Sequence, residues 1–166
     1  MKVPVILILT VFAFFTLSCK STKTIAQAEY TQTMIDSLKH EIYQDTVKFN
    51  EKDLIFTQIG RRNVNSYSML YLVNGVFLYM LDIIPSDKVV EFVSEFLNSD
   101  KIESIGIIPK EKAYMFGGVR AQNGLVVIRL KKKVKFNPLV AGFEKRGENS
   151  GDNFSKRRAN ELMIRE

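Results

Sequence analysis

The sequence predicts an α+β fold, a small mixed sheet covered by helices, and three observations carry that expectation. Apolar residues recur at helical spacing in two separate segments, 31–44 and from Ser86 onward. Short β-prone runs, two of them joined by Asn74-Gly75, alternate with those segments instead of clustering at one end of the chain. The order that results is helix, strand, hairpin, helix, strand, helix, strand, and no internal repeat interrupts it.

Each element has its own signal. Met34, Ile35, Leu38 and Ile42 share one helix face, with Asp36, Lys39 and Glu41 off it. Leu54 to Ile59 alternates toward Gly60 as a short strand. Tyr67 to Val73 is β-prone, Asn74-Gly75 is the dipeptide that a type I′ turn prefers, and Val76 to Tyr79 resumes the pattern, which makes a hairpin. Ser86 is placed to cap a second helix whose Val89, Val90, Val93, Phe96 and Leu97 share a face, with Asp87 at its positive end. Ser99-Asp100 breaks it. Ile102 to Ile108 reads as a core strand, Pro109 opens a short helix through Phe116, and Gly117-Gly118 ends that helix where φ can turn positive. Leu125 to Leu130 is the last expected strand, apolar nearly throughout, as in a strand covered on both faces. Beyond Pro138 the periodicity fades. Residues 138–166 read as a mostly disordered basic tail, most clearly from Arg146 to Asn153, with spacing for a short helix from Ser155 to Arg165.

The N-terminus predicts a compartment. Lys2 precedes an apolar run from Val3 to Phe15, and Thr16-Leu17-Ser18-Cys19 follows, so residues 1–18 have the anatomy of a secretory signal. The run is shorter than the ~20 residues that a membrane-spanning helix needs. Thr16-Leu17-Ser18-Cys19 resembles a lipobox, which implies that Cys19, the single cysteine, is the acylated first residue of the mature chain. Lys20 stands where the enterobacterial inner-membrane retention signal has Asp, and no acidic cluster follows Cys19; an outer-membrane anchor with the domain facing the periplasm is expected. Residues 19–30 are polar and small, a flexible tether to a domain at 31–137.

Removing 18 of 166 residues leaves 148, room for one domain with a modest core, and loss of Lys2 lowers the formal charge from +6 to +5. For an exported protein that charge points to anionic head groups or acidic proteins, and nucleic acid is not an expected partner. Lys131, Lys132, Lys133 and Lys135 close the last expected strand and are the candidate contacts with an anionic surface. Chemistry is hard to find. His40 is the sole histidine and has no second thiol or imidazole with which to build a zinc site. There is no Gly-x-Ser-x-Gly elbow and no phosphate loop, while Asp82, Asp87 and Glu91 flank a helix start, where the dipole accounts for them. A non-enzymatic protein without cofactor or metal is expected. Tyr67, Tyr71, Phe77 and Tyr79 fit cross-strand packing, with a small-ligand or glycan-binding surface as the alternative.

From Leu70 to Lys133 the chain resembles the plug domain of TonB-dependent outer-membrane receptors, in the form found in Bacteroidetes nutrient importers. Three blocks carry the resemblance in the family's order. Tyr71-Leu72-Val73-Asn74-Gly75-Val76 is similar to the plug's strand and turn ending Asp-Gly-Val. Lys101-Ile102-Glu103-Ser104-Ile105-Gly106-Ile107-Ile108-Pro109-Lys110 is similar to its Asp-Ile-Glu-Ser-Ile-Glu-Val-Leu-Lys element. Tyr114 to Lys131, with Gly117, Asn123 and Gly124, is similar to its Tyr-Gly-x-Arg-Gly-Ala-Asn-Gly-Val-Ile-x-Ile-x-Thr-Lys run. Fewer than 40 residues follow the last plug-like strand, too few for a transmembrane barrel of many ~10-residue strands. The resemblance implies a plug-like fold in the envelope and a protein-interaction module, with another envelope protein as partner, associated with a receptor system of this type.

Overall fold

The computed structural model describes residues 31–58, 60–146 and 150–155. The signal, Cys19, the tether and the helix expected toward Arg165 lie outside the described residues. The fold is α+β, as the order of elements predicts. Helix α1 covers residues 31–46 and buries Ile35, Leu38 and Ile42. Strands β1 (Leu54–Thr57) and β2 (Gly60–Asn63) form a separate antiparallel hairpin. Then come β3 (Leu70–Val73), β4 (Phe77–Met80), α2 (Ser86–Phe96), β5 (Ile102–Ile108), α3 (Lys110–Gly117), a 3-10 turn (Gly118–Ala121), β6 (Leu125–Leu130), β7 (Glu144–Arg146) and β8 (Ser150–Asp152).

Six of these strands make one mixed sheet in the order β5-β6-β3-β4-β8-β7. The β3–β4 hairpin turns on Asn74 and Gly75, both at positive φ (53° and 72°), and the Val76 amide donates to the Val73 carbonyl at 3.1 Å. Two positive φ values at the central positions of the turn Val73–Val76 are the type I′ geometry, and Val76 is the third residue of the loop, since Val73 pairs with Phe77. β6 runs parallel to β3 and antiparallel to β5, with Tyr71 beside Val126 and Val73 beside Ile128. Because side chains alternate along a strand, Tyr71, Val73, Tyr79, Val126 and Ile128 share one face. α2 lies on that face: the Phe92 ring is 5.0 Å from Tyr71 and 5.2 Å from Tyr79, and Phe96 is 5.2 Å from Tyr79. Leu70 and Leu125 point the other way. A Cβ on Gly117 would come within 2.8 Å of Leu70 Cδ2 and 2.6 Å of Ala121 Cβ, so a glycine is what lets α3 and the 3-10 turn close onto this second face.

Several expectations are corrected. α2 buries Val89, Phe92, Val93 and Phe96, a sequence of three- and four-residue steps, whereas Val90 falls outside that stripe and is exposed. Pro85, not Ser86, occupies the N-cap position of α2, without a side-chain cap bond, and Pro109 does the same for α3. β5 is an edge strand, not a core strand: Glu103 and Ser104 are exposed, and its pairing shifts between Ile102 and Ser104. β6 is not the last strand. The segment after Pro138, expected to be mostly disordered, adds β7 and β8 to the sheet, with β8 running parallel to β4. Phe143 and Phe154 are buried there. Asn153 holds the segment in place: its amide donates to the Met80 and Ala141 carbonyls at 2.8 and 3.1 Å, and its oxygen accepts from the Met80 amide at 2.9 Å.

Candidate functional site

The residues of the three plug-like blocks do not converge on one site; they build the scaffold at both ends of the sheet. Asn74 accepts from the Leu130 amide at 2.8 Å through its Oδ1, tying the β3–β4 turn to the end of β6. Ile102 is buried and Ile105 half-buried, while Glu103 and Ser104 face outward from the sheet edge. At the opposite end Asn123 donates to Ser66 Oγ at 3.1 Å and to the Ser68 carbonyl at 3.3 Å, fastening the loop before β3. Gly124, at φ 116°, lies where a Cβ would stand 3.3 Å from the Ile108 carbonyl. Its close backbone approach is the one expected from its place before β6.

The other candidates divide by burial. Tyr71 and Tyr79 lie within the core, and Tyr79 also packs on Phe143 with centroids 5.0 Å apart and donates to the Pro138 carbonyl at 2.8 Å. Burial first, and then the charges of Glu41 and Asp45, push the Tyr71 phenol far above its ordinary range. Burial and then Glu95 raise Tyr79. Neither ring offers a surface on which a glycan could stack, and neither hydroxyl is an acid near neutral pH. His40 is exposed on α1, its Nε2 2.9 Å from Gln44 Nε2. Asp82, expected to be accounted for by the dipole of α2, is instead fully buried four residues before that helix; burial pushes its carboxyl above the usual range, against hydrogen bonds from Ser66 and from the Tyr67 and Ser68 amides. No three metal-ligating side chains gather among the described residues.

Lys131, Lys132, Lys133 and Lys135 are exposed in the turn after β6, and Lys131 Nζ donates to the Asp100 carbonyl at 2.7 Å. This is also the end where the described chain begins, since Gln32 of α1 lines an open groove of about 400 Å³ with Asn98 and Ser99, the residues just before Asp100. The far end of α1 lies elsewhere. Ile42, Asp45 and Thr46 share a cavity of about 10 Å³, room for one water, with Tyr67 and Ser68 at the start of β3. At ~3.3 Å per residue, the six residues of β6 set the two ends about 17 Å apart.

That second end carries the features that sequence reasoning missed. Tyr114, Met115 and Phe116 of α3 are 59%, 75% and 68% exposed, and Val119 of the 3-10 turn is also exposed. The signal was present: three consecutive apolar residues span about 200° of a helix, so they cannot all face the sheet. Val119 borders a second cavity of about 10 Å³, which is lined by Arg61, Arg62 and Arg120 together with Thr57, Ser66 and Met80. The Arg120 guanidinium sits 3.9 Å from the centre of the Phe154 ring, and Arg62 Nη2 donates to Gln122 Oε1 at 3.3 Å. Only tertiary structure joins Arg120 to Arg61 and Arg62, which is why spacing gave no hint of the cluster. Comparison with protein-family models, with curated proteins and with solved structures finds no match.

Proposed function

We propose that this chain is a lipid-anchored, non-enzymatic protein of the bacterial outer membrane, its domain facing the periplasm and serving as a protein-interaction module associated with a TonB-dependent receptor system. One observation carries the reading: the exposed apolar face of Tyr114, Met115, Phe116 and Val119. Contiguous apolar surface of this kind marks interaction sites more often than chance, because water penalises it until a partner covers it. Its position supports the same conclusion. The face lies in the block that resembles the plug's third motif, at the end of the sheet away from residue 31, where a chain tethered through Cys19 enters the domain. Lys131, Lys132, Lys133 and Lys135 lie at the entering end, within reach of anionic head groups.

Crosslinking in intact envelopes, followed by solubilisation and purification of the tagged full chain, tests the reading. The native chain is expected to recover one discrete envelope protein, and the double variant Met115→Ser, Phe116→Ser is expected to lose it while keeping its melting temperature. Recovery of the same protein by the double variant, or of none by the native chain under conditions that preserve other envelope complexes, overturns it.

A further inference from the structure

We infer that the open edge of β5 pairs with β5 of a second copy of this chain, antiparallel and centred on Gly106, so that one sheet runs through both copies. This surface is separate from the apolar face of α3 and does not depend on it. The two edges of the sheet differ in kind. β7 has three residues, Glu144, Lys145 and Arg146, and all of them carry charge, which discourages further pairing. β5 has seven residues, four of them Ile, with Glu103 as the single charge and no Pro or Lys within it. Its irregularity lies at the start, between Ile102 and Ser104, and leaves Ser104 to Ile108 in unbroken register with β6. An edge so long and so apolar is a template for another strand.

Hydrogen bonding shows which groups that template offers. The carbonyls of Gly124 and Ile128 accept from the Leu70 and Asn74 amides, so alternate residues from Gly124 onward turn toward β3. Leu125, Val127 and Arg129 therefore turn toward β5, where they pair with Ile108, Gly106 and Ser104. Ile105 and Ile107 are left with N–H and C=O both aimed at the open edge, and among the described residues nothing hydrogen-bonds to them there. A second copy supplies the complement. With Gly106 on the two-fold axis, Ile105 stands opposite Ile107 of the copy and exchanges both bonds with it, and the symmetric pair does the same. These side chains also share a face, since Ile105 pairs with Ile128 and Ile107 with Val126; Ile107, 44% exposed, is thereby covered. Glu103 falls opposite Pro109 of the copy, next to Lys110, so the flanking charges are opposite in sign. The flank at the axis is open, because a Cβ on Gly106 would meet nothing within 4 Å.

The test uses the full chain carrying Cys19→Ser, which removes its one thiol, and sedimentation equilibrium in density-matched detergent. The protein is expected to sediment at twice the mass of one chain at about 10 μM, and a single-chain mass up to about 100 μM overturns the inference without recourse to any variant. Ile107→Lys, a charge at an exposed position of the seam, is expected to keep the melting temperature and to sediment as one chain. A dimer that survives Ile107→Lys, or one that is lost instead in Met115→Ser, Phe116→Ser, places the contact elsewhere and overturns the inference. Cysteine pairs then read the register. Gly106 and its copy are a pair without mutual hydrogen bonds, Cα atoms about 4.5 Å apart, so Gly106→Cys is expected to form a disulfide-linked dimer on oxidation with diamide. Ser104 and its copy are offset by four residues, roughly 13 Å, and Ser104→Cys is expected to stay uncrosslinked. Equal crosslinking of the two, or none at Gly106→Cys, overturns the pairing. None of these outcomes alters the envelope crosslinking result at Met115 and Phe116, so the two readings fail separately.

Discussion

Asn153 completes the hydrogen bonding of Met80 at the end of β4, taking both the amide and the carbonyl of that residue with one buried side chain. Asn153→Ala removes these bonds and the one to Ala141 and leaves buried backbone groups unpaired, so a loss of about 2–4 kcal/mol is expected, read as a lower urea midpoint with unchanged slope. Asp82 gives a pH-dependent counterpart. Its folded-state pKa is raised, chiefly by burial, so the folded chain holds the proton more tightly than the unfolded chain does. The contribution to stability is therefore full below the unfolded carboxyl pKa and is lost as pH rises through the folded one. Asp82→Asn is expected to flatten that dependence, and urea titrations of both proteins from pH 4 to pH 7 check it; parallel pH profiles would contradict the assignment. At this scale the sequence was legible where one residue type fits one conformation, as at Asn74 and Gly75. It was not legible where a side chain acts on a distant strand, since nothing near Asn153 in sequence names Met80.

α2 and α3 show the difference between a helix committed to the core and one that leaves large apolar side chains exposed. α2 buries four of its eleven residues along one stripe, and Phe92 alone meets Tyr71, Tyr79 and Phe96 at ring distances of 5.0 to 5.2 Å. Phe92→Ala is expected to cost about 3–5 kcal/mol. α3 buries only Ala113. Met115→Ser and Phe116→Ser should each stay within about 0.5 kcal/mol of the native chain, and thermal melts of the three variants check the contrast. Element boundaries were legible for β5 and β6, whose apolar runs coincide with the observed strands. The Gly60-Arg61-Arg62-Asn63 run of β2 has little β-propensity and becomes a strand only through its pairing with β1. In the last hairpin, Gly151 sits where a Cβ would stand 2.5 Å from the Phe143 ring, so a glycine that read as loop composition is a packing requirement.

For the molecule as a whole, the α+β class and the order of elements could be read from periodicity, but the sheet's extent could not, because β7 and β8 owe their place to contacts with β4 rather than to local pattern. The arginine cluster was hidden for the same reason. The two ends of the sheet give the chain a direction: basic turn and chain entry at one, apolar helix and arginine pocket at the other. If Cys19 carries the lipid, Cys19→Ser leaves a soluble or unprocessed protein that takes up no labelled fatty acid. The Lys131–Lys135 run would add roughly 1 kcal/mol per lysine at an anionic surface, a contribution that salt screens and acyl burial does not share. Release of the native protein from membranes by salt alone would mean that no lipid holds it. The direction of the domain is tested most directly by placing a photoreactive residue at position 115 or at position 132 in living cells. One discrete protein adduct is expected from position 115 and lipid adducts from position 132; protein adducts from position 132 with none from position 115 would contradict that orientation.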